Sequence, residues 1–404
     1  MHRLKELIPQ WMINNFKHLP TAVLANVVYN FPANELTIIG VTGTDGKTTT
    51  VNMIYKVLKD AGKKVSMVST INANIAGKAY DTGFHVSSPD PFTVQNFAKQ
   101  AKNNGDEILV LEVTSHALDQ YRFWGIRFDV GVITNITHDH LDYHKTWANY
   151  FATKAKLIKN SKIAVLNYDE KHFEKLSKIN PNAKLISFGS SEQADFNINS
   201  FPLNLKMLGD FNKLNALAAS AVCTYLGVDK NIIKKSLDNF SNLSGRMQEI
   251  KNNKGIKIII DFAATSNSLE QSLKTLRGFI KSGKLISLFG SAGQRDIKKR
   301  ELMGEVSARL ADITVVTAED PRGELEEINK QIVKGATRMG AVMGKNLFVV
   351  EDRTEAIKFV IQSLAKKGDV IGLFGKGHES SMNIDGKHEL PWSEEEVVKR
   401  ALHG

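Results

Sequence analysis

The segment IIGVTGTDGKTTT (38–50) constrains the fold of this chain more than any other, because it sets a glycine-containing loop between a β-rich apolar run and a helical pattern. In such a strand–loop–helix unit, backbone N–H groups and the positive end of the helix bind phosphate groups. Val41 stands five residues before Gly46, where the general phosphate-loop motif has glycine. Despite this departure, the segment predicts a nucleotide-phosphate site.

The same motif gives its side chains individual roles. Lys47 would reach the terminal phosphates, and the Thr48 hydroxyl would ligate magnesium. A plain glycine turn followed by an exposed lysine is the alternative, and the strand before it and the helix after it disfavour that alternative. The candidate nucleotide-binding residues of this segment are Gly43, Thr44, Asp45, Gly46, Lys47, Thr48 and Thr49.

Short β-rich runs alternate with helical patterns from about residue 36, which is typical of βαβ units and a largely parallel sheet. A second block of the same kind follows the loop at 241–248, and two such domains would form a cleft near residue 245. The predicted strands are 36–41, 65–70, 108–112, 129–136 and 162–167 in the first block, and KIIIDF, LISLFG, ITVVT, LFVV and DVIGLFG in the second. The predicted helices are 47–61, 147–159, 268–281, 298–310, 325–337, 353–365 and 394–402.

Composition narrows the class of protein. The 404 residues suffice for about two or three domains, and the single cysteine, Cys223, excludes an internal disulfide and a cysteine-based zinc site. The N-terminal residues lack the apolar core of a signal peptide or of a membrane span, so we expect a cytoplasmic protein without membrane insertion. The excess of 53 Lys and Arg over 43 Asp and Glu is spread along the chain. It favours small anionic partners, and no nucleic-acid-binding module accompanies it.

Two further segments end strands beside the predicted phosphate site. LEVTSHALDQYRF (111–123) places Glu112 where the loops of a parallel sheet converge on a ligand. The segment 133–158 then supplies His138, Asp139, His140 and His144 before Lys154 on a helix. Because magnesium seldom accepts imidazole, a histidine-rich loop at this place is unusual, although any one of these histidines could also be a surface or capping group.

Taken together, these segments resemble the central domain of the Mur ligases of peptidoglycan synthesis, in which the phosphate loop has the form T-G-T-x-G-K-T. The resemblance extends from about residue 36 to 404 and is strongest to the members that form the tripeptide precursor. LGDFNKLNALAA (208–219) resembles the adenine-binding segment, with Asn212 and Asn215, and SGRMQ (244–248) resembles the interdomain hinge, with Arg246 at the nucleotide. FGSAGQRDIKKR (289–300), EDPRGE (319–324) and GKGHES (375–380) resemble further motifs of the second domain.

The resemblance implies an α/β fold, with a P-loop central domain and a mostly parallel sheet followed by a smaller Rossmann-like C-terminal domain. The implied domains are 36–243 and 244–404, after a short segment, 1–35, in place of a full UDP-binding domain. The implied enzyme is a monomeric ATP-dependent carboxylate–amine ligase that works through an acyl-phosphate and contributes to cell-wall synthesis. Glu112 and His140 would hold a second magnesium ion, and Lys154 would be carbamylated near the cations.

Further substrate and nucleotide contacts are implied in the same way. An arginine in the D-x-P-R position favours meso-diaminopimelate over lysine, because its planar fork pairs with the distal carboxylate. Arg322 occupies that position, and the alternative is a surface residue at a helix entry. The remaining nucleotide contact is Asp261. The implied substrate-binding residues are Ser87, Ser88, Ser115, His116, Arg122, Arg295, Asp320, Arg322, Gly375, His378 and Glu379.

Three departures from the family pattern keep other functions open. Only about 35 residues precede the first strand, Ala264 and Ser266 replace the histidine and proline of D-Y-A-H-T-P, and Gln248 stands where glutamate is common. The first departure favours a sister ligase whose acceptor lacks UDP, such as a peptide, a polyglutamate or a cyanophycin-like polymer. The alternative from another class is a nucleotide-binding protein that has lost catalysis.

Overall fold

The computed structural model of the chain describes residues 9–81, 88–137, 139–241 and 243–403. The chain divides into two compact units, and each is described by itself. Unit 1 comprises Met1–Ile136, Thr146–Lys206 and Phe211–Phe240, and unit 2 comprises Thr137–Lys145, Met207–Asp210 and Ser241–Gly404. Among the described residues, no helix is long and apolar enough to cross a membrane.

The sheet of unit 1 has eight strands within the described residues, in the order β4-β3-β2-β5-β1-β6-β7-β8. All neighbours are parallel except β2 with β3 and β3 with β4. Val41 of β1 is in register with Glu112 of β5, and Thr42 with Ile133 of β6, so these three strands end side by side. The strands are Thr37–Thr42 (β1), Val65–Val68 (β2), Asn72–Ile75 (β3), Lys78–Asp81 (β4), Ile108–Glu112 (β5), Phe128–Ile133 (β6), Ser161–Asn167 (β7) and Lys184–Phe188 (β8).

The helices of unit 1 bury one face against this sheet, as the parallel architecture requires. Capping side chains fix the starts of several of these helices. Asp90 accepts from the amides of Phe92 and Thr93 at the start of the helix Pro91–Asn103, and Thr146 accepts from the amide of Asn149 at the start of Trp147–Lys159. The α-helices of unit 1 are Gln10–Ile13, Leu19–Tyr29, Lys47–Asp60, Pro91–Asn103, Ser115–Asp119, Trp147–Lys159, Phe173–Ser177, Asp210–Tyr225 and Lys230–Asp238, and Asn14–His18 and Pro32–Glu35 form a π turn and a 3₁₀ turn.

Unit 2 contains a six-stranded sheet within the described residues, in the order β13-β12-β11-β14-β10-β9, with only β9 antiparallel to its neighbour. A separate antiparallel pair, β15 with β16, follows it in the chain. The strands are Gln248–Ile250 (β9), Lys257–Asp261 (β10), Leu285–Phe289 (β11), Ile313–Val316 (β12), Leu347–Val349 (β13), Val370–Phe374 (β14), Ser381–Asn383 (β15) and Glu389–Pro391 (β16). The α-helices are Leu141–His144, Ser266–Arg277, Lys298–Leu310, Leu325–Arg338, Arg353–Lys358 and Glu394–His403, and Phe359–Leu364 forms a π-helix.

A buried ion pair ties the strand ends of unit 2 to its last helix. Arg353 contacts Glu394 at 2.6 Å, and both side chains are fully buried. The guanidinium also donates to the carbonyls of Ala318 (3.1 Å) and Phe374 (2.8 Å), which follow or end β12 and β14. With Trp392 donating to the same carboxylate at 3.0 Å, the buried charges have the hydrogen bonds that their burial requires.

The predicted α/β class with two blocks is confirmed, and each predicted strand coincides with an observed one to within a few residues. The hairpin β3–β4, the strand β8, the edge strand β9 and the pair β15–β16 were not predicted. These are short strands with mixed polarity, which lack the continuous apolar run of a buried parallel strand.

Candidate active site

The loop after β1 is held by the two residues that directly follow β6, Thr134 and Asn135. The amide of Thr44 donates to the Asn135 carbonyl and the amide of Asp45 to the Asn135 side chain, both at 2.9 Å. The Thr134 hydroxyl donates to the Asp45 carbonyl at 2.6 Å. The amides of Thr44 and Asp45 therefore hold the loop against Asn135. The amides of the first turn of the following helix have no acceptor inside the helix, so they are the donors available to a phosphate.

Two glycines let other groups approach this loop closely. A Cβ on Gly43 would lie 1.8 Å from the Thr134 hydroxyl oxygen, and Gly43 has φ +155°. A Cβ on Gly46, which has φ +83°, would lie 2.3 Å from the side-chain oxygen of Asn215. Both positions therefore exclude any side chain, for reasons of space as well as of backbone conformation.

Lys47 and Lys154 converge on one carbonyl of the loop. The Lys47 Nζ donates to the carbonyls of Gly43 (3.0 Å) and Thr44 (2.8 Å), and the Lys154 Nζ donates to the Gly43 carbonyl at 2.6 Å. Lys154 is only 1% exposed, and its amine lies 4.7 Å from the centre of the Tyr150 ring. The structure thus brings these two predicted residues together.

Glu112 joins the phosphate-loop helix to the end of β2. Its Oε2 accepts from the Thr48 hydroxyl and from the Thr70 amide, both at 2.9 Å, and its Oε1 accepts from the Thr70 hydroxyl at 2.7 Å. The predicted magnesium ligands Thr48 and Glu112 are therefore adjacent, and both offer the oxygen atoms that magnesium prefers. Among the described residues, no group of three or more His, Cys, Asp or Glu is arranged to hold a metal. A magnesium site with one carboxylate, one hydroxyl, phosphates and water does not need such a group.

His140 belongs to the segment Thr137–Lys145, which groups with unit 2. Its φ is +54°, and its Nε2 lies 3.1 Å from the Asp139 carboxylate. His138 lies outside the described residues. His144 ends the short helix Leu141–His144 and packs its ring against Tyr143 at 4.8 Å.

The predicted adenine-segment residues lie against the phosphate loop. Asn215 donates to the Asn212 side chain at 3.1 Å and accepts from Thr50 at 3.4 Å, and its oxygen lies beside Gly46. Both asparagines are buried. The sequence alone could not show that the segments 43–50 and 212–215 pack against each other, because they are distant in the chain.

Four predicted acceptor-site residues surround the end of β5. The Ser88 hydroxyl donates to the Glu112 carbonyl at 3.1 Å, and Arg122 donates to the Ser88 carbonyl at 2.5 Å. Ser115 and His116 lie in the short helix Ser115–Asp119. Ser87 lies outside the described residues.

In unit 2, a buried lysine organises a second group of predicted residues. The Lys376 Nζ contacts Asp320 at 2.9 Å and Glu379 at 2.6 Å, and Lys376 is fully buried. Arg322 lies 3.9 Å from the Asp320 carboxylate and donates to the Gly293 carbonyl at 3.4 Å. Asp320 and Arg322 both have positive φ, at 45° and 50°, which is strained for side chains of this kind.

The backbone near β15 holds this strained turn in place. The Arg322 amide donates to the Asn383 carbonyl at 3.1 Å, and the Asn383 amide donates to the Asp320 carboxylate at 3.0 Å. Burial and the neighbouring Arg322 lower the pKa of Arg295. The guanidinium groups of Arg295 and Arg322 therefore lie close enough to affect each other. Arg322 also lies beside Asp320, one of the two carboxylates that contact Lys376.

The remaining predicted residues of unit 2 surround the turn after Gly245. Arg246 lies over the Phe262 ring at 4.5 Å, and the Asp261 carboxylate accepts from the Met247 amide at 3.1 Å. Burial raises the pKa of Asp261. Burial, with Arg246 and Lys376 nearby, lowers the pKa of His378 to about 3, so its imidazole is neutral at physiological pH.

Gln248 and Ser266, two of the residues that depart from the family pattern, make contacts that suit the residue found at each position. Gln248 accepts from the Gly245 amide at 2.8 Å and donates to Glu395 at 2.7 Å, so a glutamate at 248 would face a like charge. Ser266 begins a helix that Thr265 caps through a capping box, which provides the helix start that proline would otherwise favour. The Ala264 carbonyl accepts from Lys299 at 2.9 Å, and nothing in the structure explains the absence of a histidine side chain there.

Glu319 is a residue of this region that the sequence analysis missed. Its Oε2 is buried and has no hydrogen-bond partner among the described residues, and a Cβ on Gly375 would lie 2.2 Å from that atom. Burial raises the pKa of Glu319 to about 8, against the opposing effect of Lys299, Arg353 and Lys376. The sequence feature that could have indicated Glu319 is its place shortly after the buried strand Ile313–Val316, in ITVVTAED.

A fixed loop between β1 and a helix, with a lysine and a hydroxyl at its end and a carboxylate beside it, defines a nucleotide-dependent enzyme of the P-loop type. The profile of the Mur ligase middle domain matches residues 41–223, and that of the Mur ligase glutamate ligase domain matches residues 245–377. The chain belongs to the Mur ligase family, and it is a ligase.

Two ligases are similar to this protein over most of its chain. The UDP-N-acetylmuramoyl-L-alanyl-D-glutamate–2,6-diaminopimelate ligase 1 of Clostridium acetobutylicum is 36% identical over 402 residues, covering 94% of this chain and 81% of the relative. The corresponding ligase of Aquifex aeolicus is 36% identical over 398 residues, covering 94% and 80%.

Solved structures agree with the fold. A structure of a UDP-N-acetylmuramoyl-L-alanyl-D-glutamate–2,6-diaminopimelate ligase is 28% identical with a TM-score of 0.60, and the match covers 91% of this chain and 78% of that one. MurF ligase from Thermotoga maritima, in complex with ADP, is 23% identical with a TM-score of 0.69, covering 94% and 82%. The second likeness bears on the fold alone.

The close packing of the phosphate loop can be tested with two glycines of similar backbone conformation. Gly46 (φ +83°) faces Asn215, whereas a Cβ on Gly62 (φ +75°) would have no atom within 4 Å in the part of the chain that the structure describes. Both Gly→Ala changes cost about 1 kcal/mol for the left-handed backbone. We expect Gly46→Ala to lose a further ~1–3 kcal/mol because it displaces Asn215. Urea unfolding measures the difference, and equal losses in the two variants would contradict the packing described.

The pKa of Glu319 predicts a pH-dependent stability. Because the folded pKa of Glu319 (about 8) lies above its ordinary value of 4.5, the folded state retains a proton that the unfolded state loses between these values. Stability therefore falls as pH rises through this window. We expect Glu319→Gln to stabilise the protein by roughly 3 kcal/mol at pH 7, and by almost nothing at pH 4. Chemical unfolding at both pH values measures this, and a pH-independent effect would show that Glu319 is ionised when folded.

Proposed function

We propose that this protein joins the carboxylate of UDP-N-acetylmuramoyl-L-alanyl-D-glutamate to the amino group of meso-diaminopimelate, with ATP and magnesium, in peptidoglycan synthesis. The observation that carries the proposal is the cluster of Gly43, Lys47, Thr48, Glu112 and Lys154 in unit 1. Identity of 36% to ligases of that name, across 94% of the chain, supports the same substrates.

The reaction has two balanced steps. An oxygen of the acceptor carboxylate attacks the γ-phosphorus of ATP, the bond to the β-phosphate oxygen breaks, and ADP leaves. The amine nitrogen then attacks the acyl carbon of the acyl-phosphate, inorganic phosphate leaves, and the nitrogen loses a proton. Charge develops on phosphate oxygens in both steps, so catalysis depends on positioned cations and amides.

The residues of the phosphate loop have distinct tasks in this proposal. The amides at the start of the Lys47–Asp60 helix bind the phosphates, and the Lys47 amine moves from its loop carbonyls to the terminal phosphate. The Thr48 hydroxyl and the Glu112 carboxylate hold magnesium, which neutralises phosphate charge when bound. That Glu112 also shares a second magnesium ion with His140 stays a prediction. Asn212, Asn215, Arg246 and Asp261 are assigned to the rest of the nucleotide.

We assign a carbamate to Lys154. Its buried amine donates to the Gly43 carbonyl, in a loop that would also receive phosphates and magnesium. An ammonium there repels the metal, whereas attack of the neutral amine on CO2 with loss of a proton gives an anion that binds it.

The incoming amino acid is assigned to unit 2. Arg322 and Arg295 supply guanidinium groups for its carboxylates, and Asp320 and Glu379, already paired with Lys376, supply acceptors for its ammonium group. Gly375 and His378 complete this set. Ser88, Ser115, His116 and Arg122 are assigned to the acceptor, together with the predicted residue Ser87.

An acceptor and amino-acid panel followed by phosphate release tests the proposal. We expect release only when magnesium, ATP, the UDP-muramoyl dipeptide and meso-diaminopimelate are all present. Release with a peptide or polymer acceptor lacking UDP would instead favour a sister ligase. Nucleotide binding without release for any acceptor would favour a protein that has lost catalysis.

The choice of amino acid is tested with Arg322. Because a neutral side chain loses the pairing with the distal carboxylate, we expect Arg322→Gln to raise the KM for diaminopimelate at least about tenfold, with a smaller change for lysine. Arg309→Gln, which removes an exposed arginine paired with Glu270, is the matched control. Equal effects on both amino acids would remove Arg322 from the specificity site.

A further inference from the structure

The first helices of unit 1 expose an apolar surface to solvent. We call it the apolar helix surface; it comprises Trp11, Met12, Phe16, Leu24, Val27 and Val28. Phe16 is 74% exposed, and Trp11 and Val27 are each 59% exposed. Exposed apolar side chains are common singly, but six of them within one helical segment, residues 11–28, indicate an interaction site.

Two buried asparagines attach this segment to unit 1. Asn14 is buried and donates to Asp119 at 2.7 Å, and Asn26 is buried and donates to the Trp124 carbonyl at 2.8 Å. The inward face of the Leu19–Tyr29 helix also carries the buried Ala22 and Ala25. The polar side chains thus hold the helices against unit 1, while the large apolar ones point outward. A helix that is apolar on its outer face favours an apolar environment there.

The charges around the apolar helix surface are positive. Residues 9–34 contain no acidic residue, and Lys17 is exposed on the segment itself. Lys99 is exposed beside Tyr29, with its amine 5.6 Å from the ring centre, and the exposed Arg127 follows the partly exposed Trp124 by three residues. Asp119, which accepts from Asn14, is paired with Lys156 at 3.3 Å, and Glu35, which follows the segment, is paired with Lys102 at 2.6 Å.

We propose that the apolar helix surface docks this protein onto a membrane with anionic headgroups, lying in the plane of the interface. Tryptophan, phenylalanine and aliphatic side chains with a lysine and arginine rim are the composition that such interfacial helices have. A second copy of the chain fits less well, because a symmetric contact would place the same cations opposite one another. At 11 residues, the Leu19–Tyr29 helix lies on the bilayer and does not span it.

Vesicle sedimentation of the full chain tests this proposal. The probes are vesicles of phosphatidylglycerol with phosphatidylcholine, and vesicles of phosphatidylcholine alone. We expect the protein to sediment with the anionic vesicles and to be released by high salt. We expect the double variant Phe16→Ser with Leu24→Ser to weaken binding about tenfold or more, because it removes two apolar side chains that would be buried in the membrane interface. Lys17→Glu should also weaken it.

The matched control is Val342→Ser with Met343→Ser, which removes two apolar side chains of similar exposure, 53% and 55%, from unit 2. It should bind as the unmodified protein does. Circular dichroism of each variant verifies folding. Equal binding by the two double variants, or no binding of the unmodified protein, overturns the proposal. Concentration-dependent dimers that Phe16→Ser with Leu24→Ser abolishes would assign the surface to a second copy instead. No substrate is present, so the result is independent of the ligase reaction.

Discussion

The carboxylate of Glu112 is the constraint on which the proposed nucleotide site depends. It ends β5 at a place that is 2% exposed, and a charge buried so deeply is tolerated only when its oxygens are hydrogen-bonded. Thr48 and the two donors of Thr70 meet this need. The same three bonds fix the start of the phosphate-loop helix relative to β2 and β5, so the geometry of the site follows from the burial of one charge.

Charged groups are arranged differently in the two units. In unit 1, the Nζ atoms of Lys47 and Lys154 share a backbone carbonyl, so the Lys47 cation and the carbamate proposed at Lys154 lie close to where phosphates and magnesium would bind. In unit 2, Lys376 is already neutralised by Asp320 and Glu379, so its charge holds those carboxylates in place. The first arrangement suits transfer of a phosphoryl group, and the second suits recognition of a substrate that carries both charges.

The sequence predicted those features that depend on local pattern. The helices 147–159 and 298–310 have the predicted bounds, because their apolar spacing agrees with a polar side chain at each start: Thr146 caps the first, and Asp296 accepts from the Lys298 amide of the second. Local pattern could not show that Asn135 would take two amides of the phosphate loop, or that Asn215 would lie beside Gly46, since both depend on packing between distant segments. Nor could local pattern show the burial that raises the pKa of Glu319, or that Glu395 lies beside Gln248, since both follow from the folded structure.

The central claim is that the loop of unit 1 transfers a phosphoryl group to a carboxylate, and oxygen labelling tests it most directly. The acceptor carboxylate is labelled with heavy oxygen, and the phosphate released during ligation is analysed by mass spectrometry. The account predicts one labelled oxygen in each phosphate, because the acyl-phosphate passes a carboxylate oxygen to phosphorus. Phosphate without the label would mean that the carboxylate is never phosphorylated, and it would contradict the account.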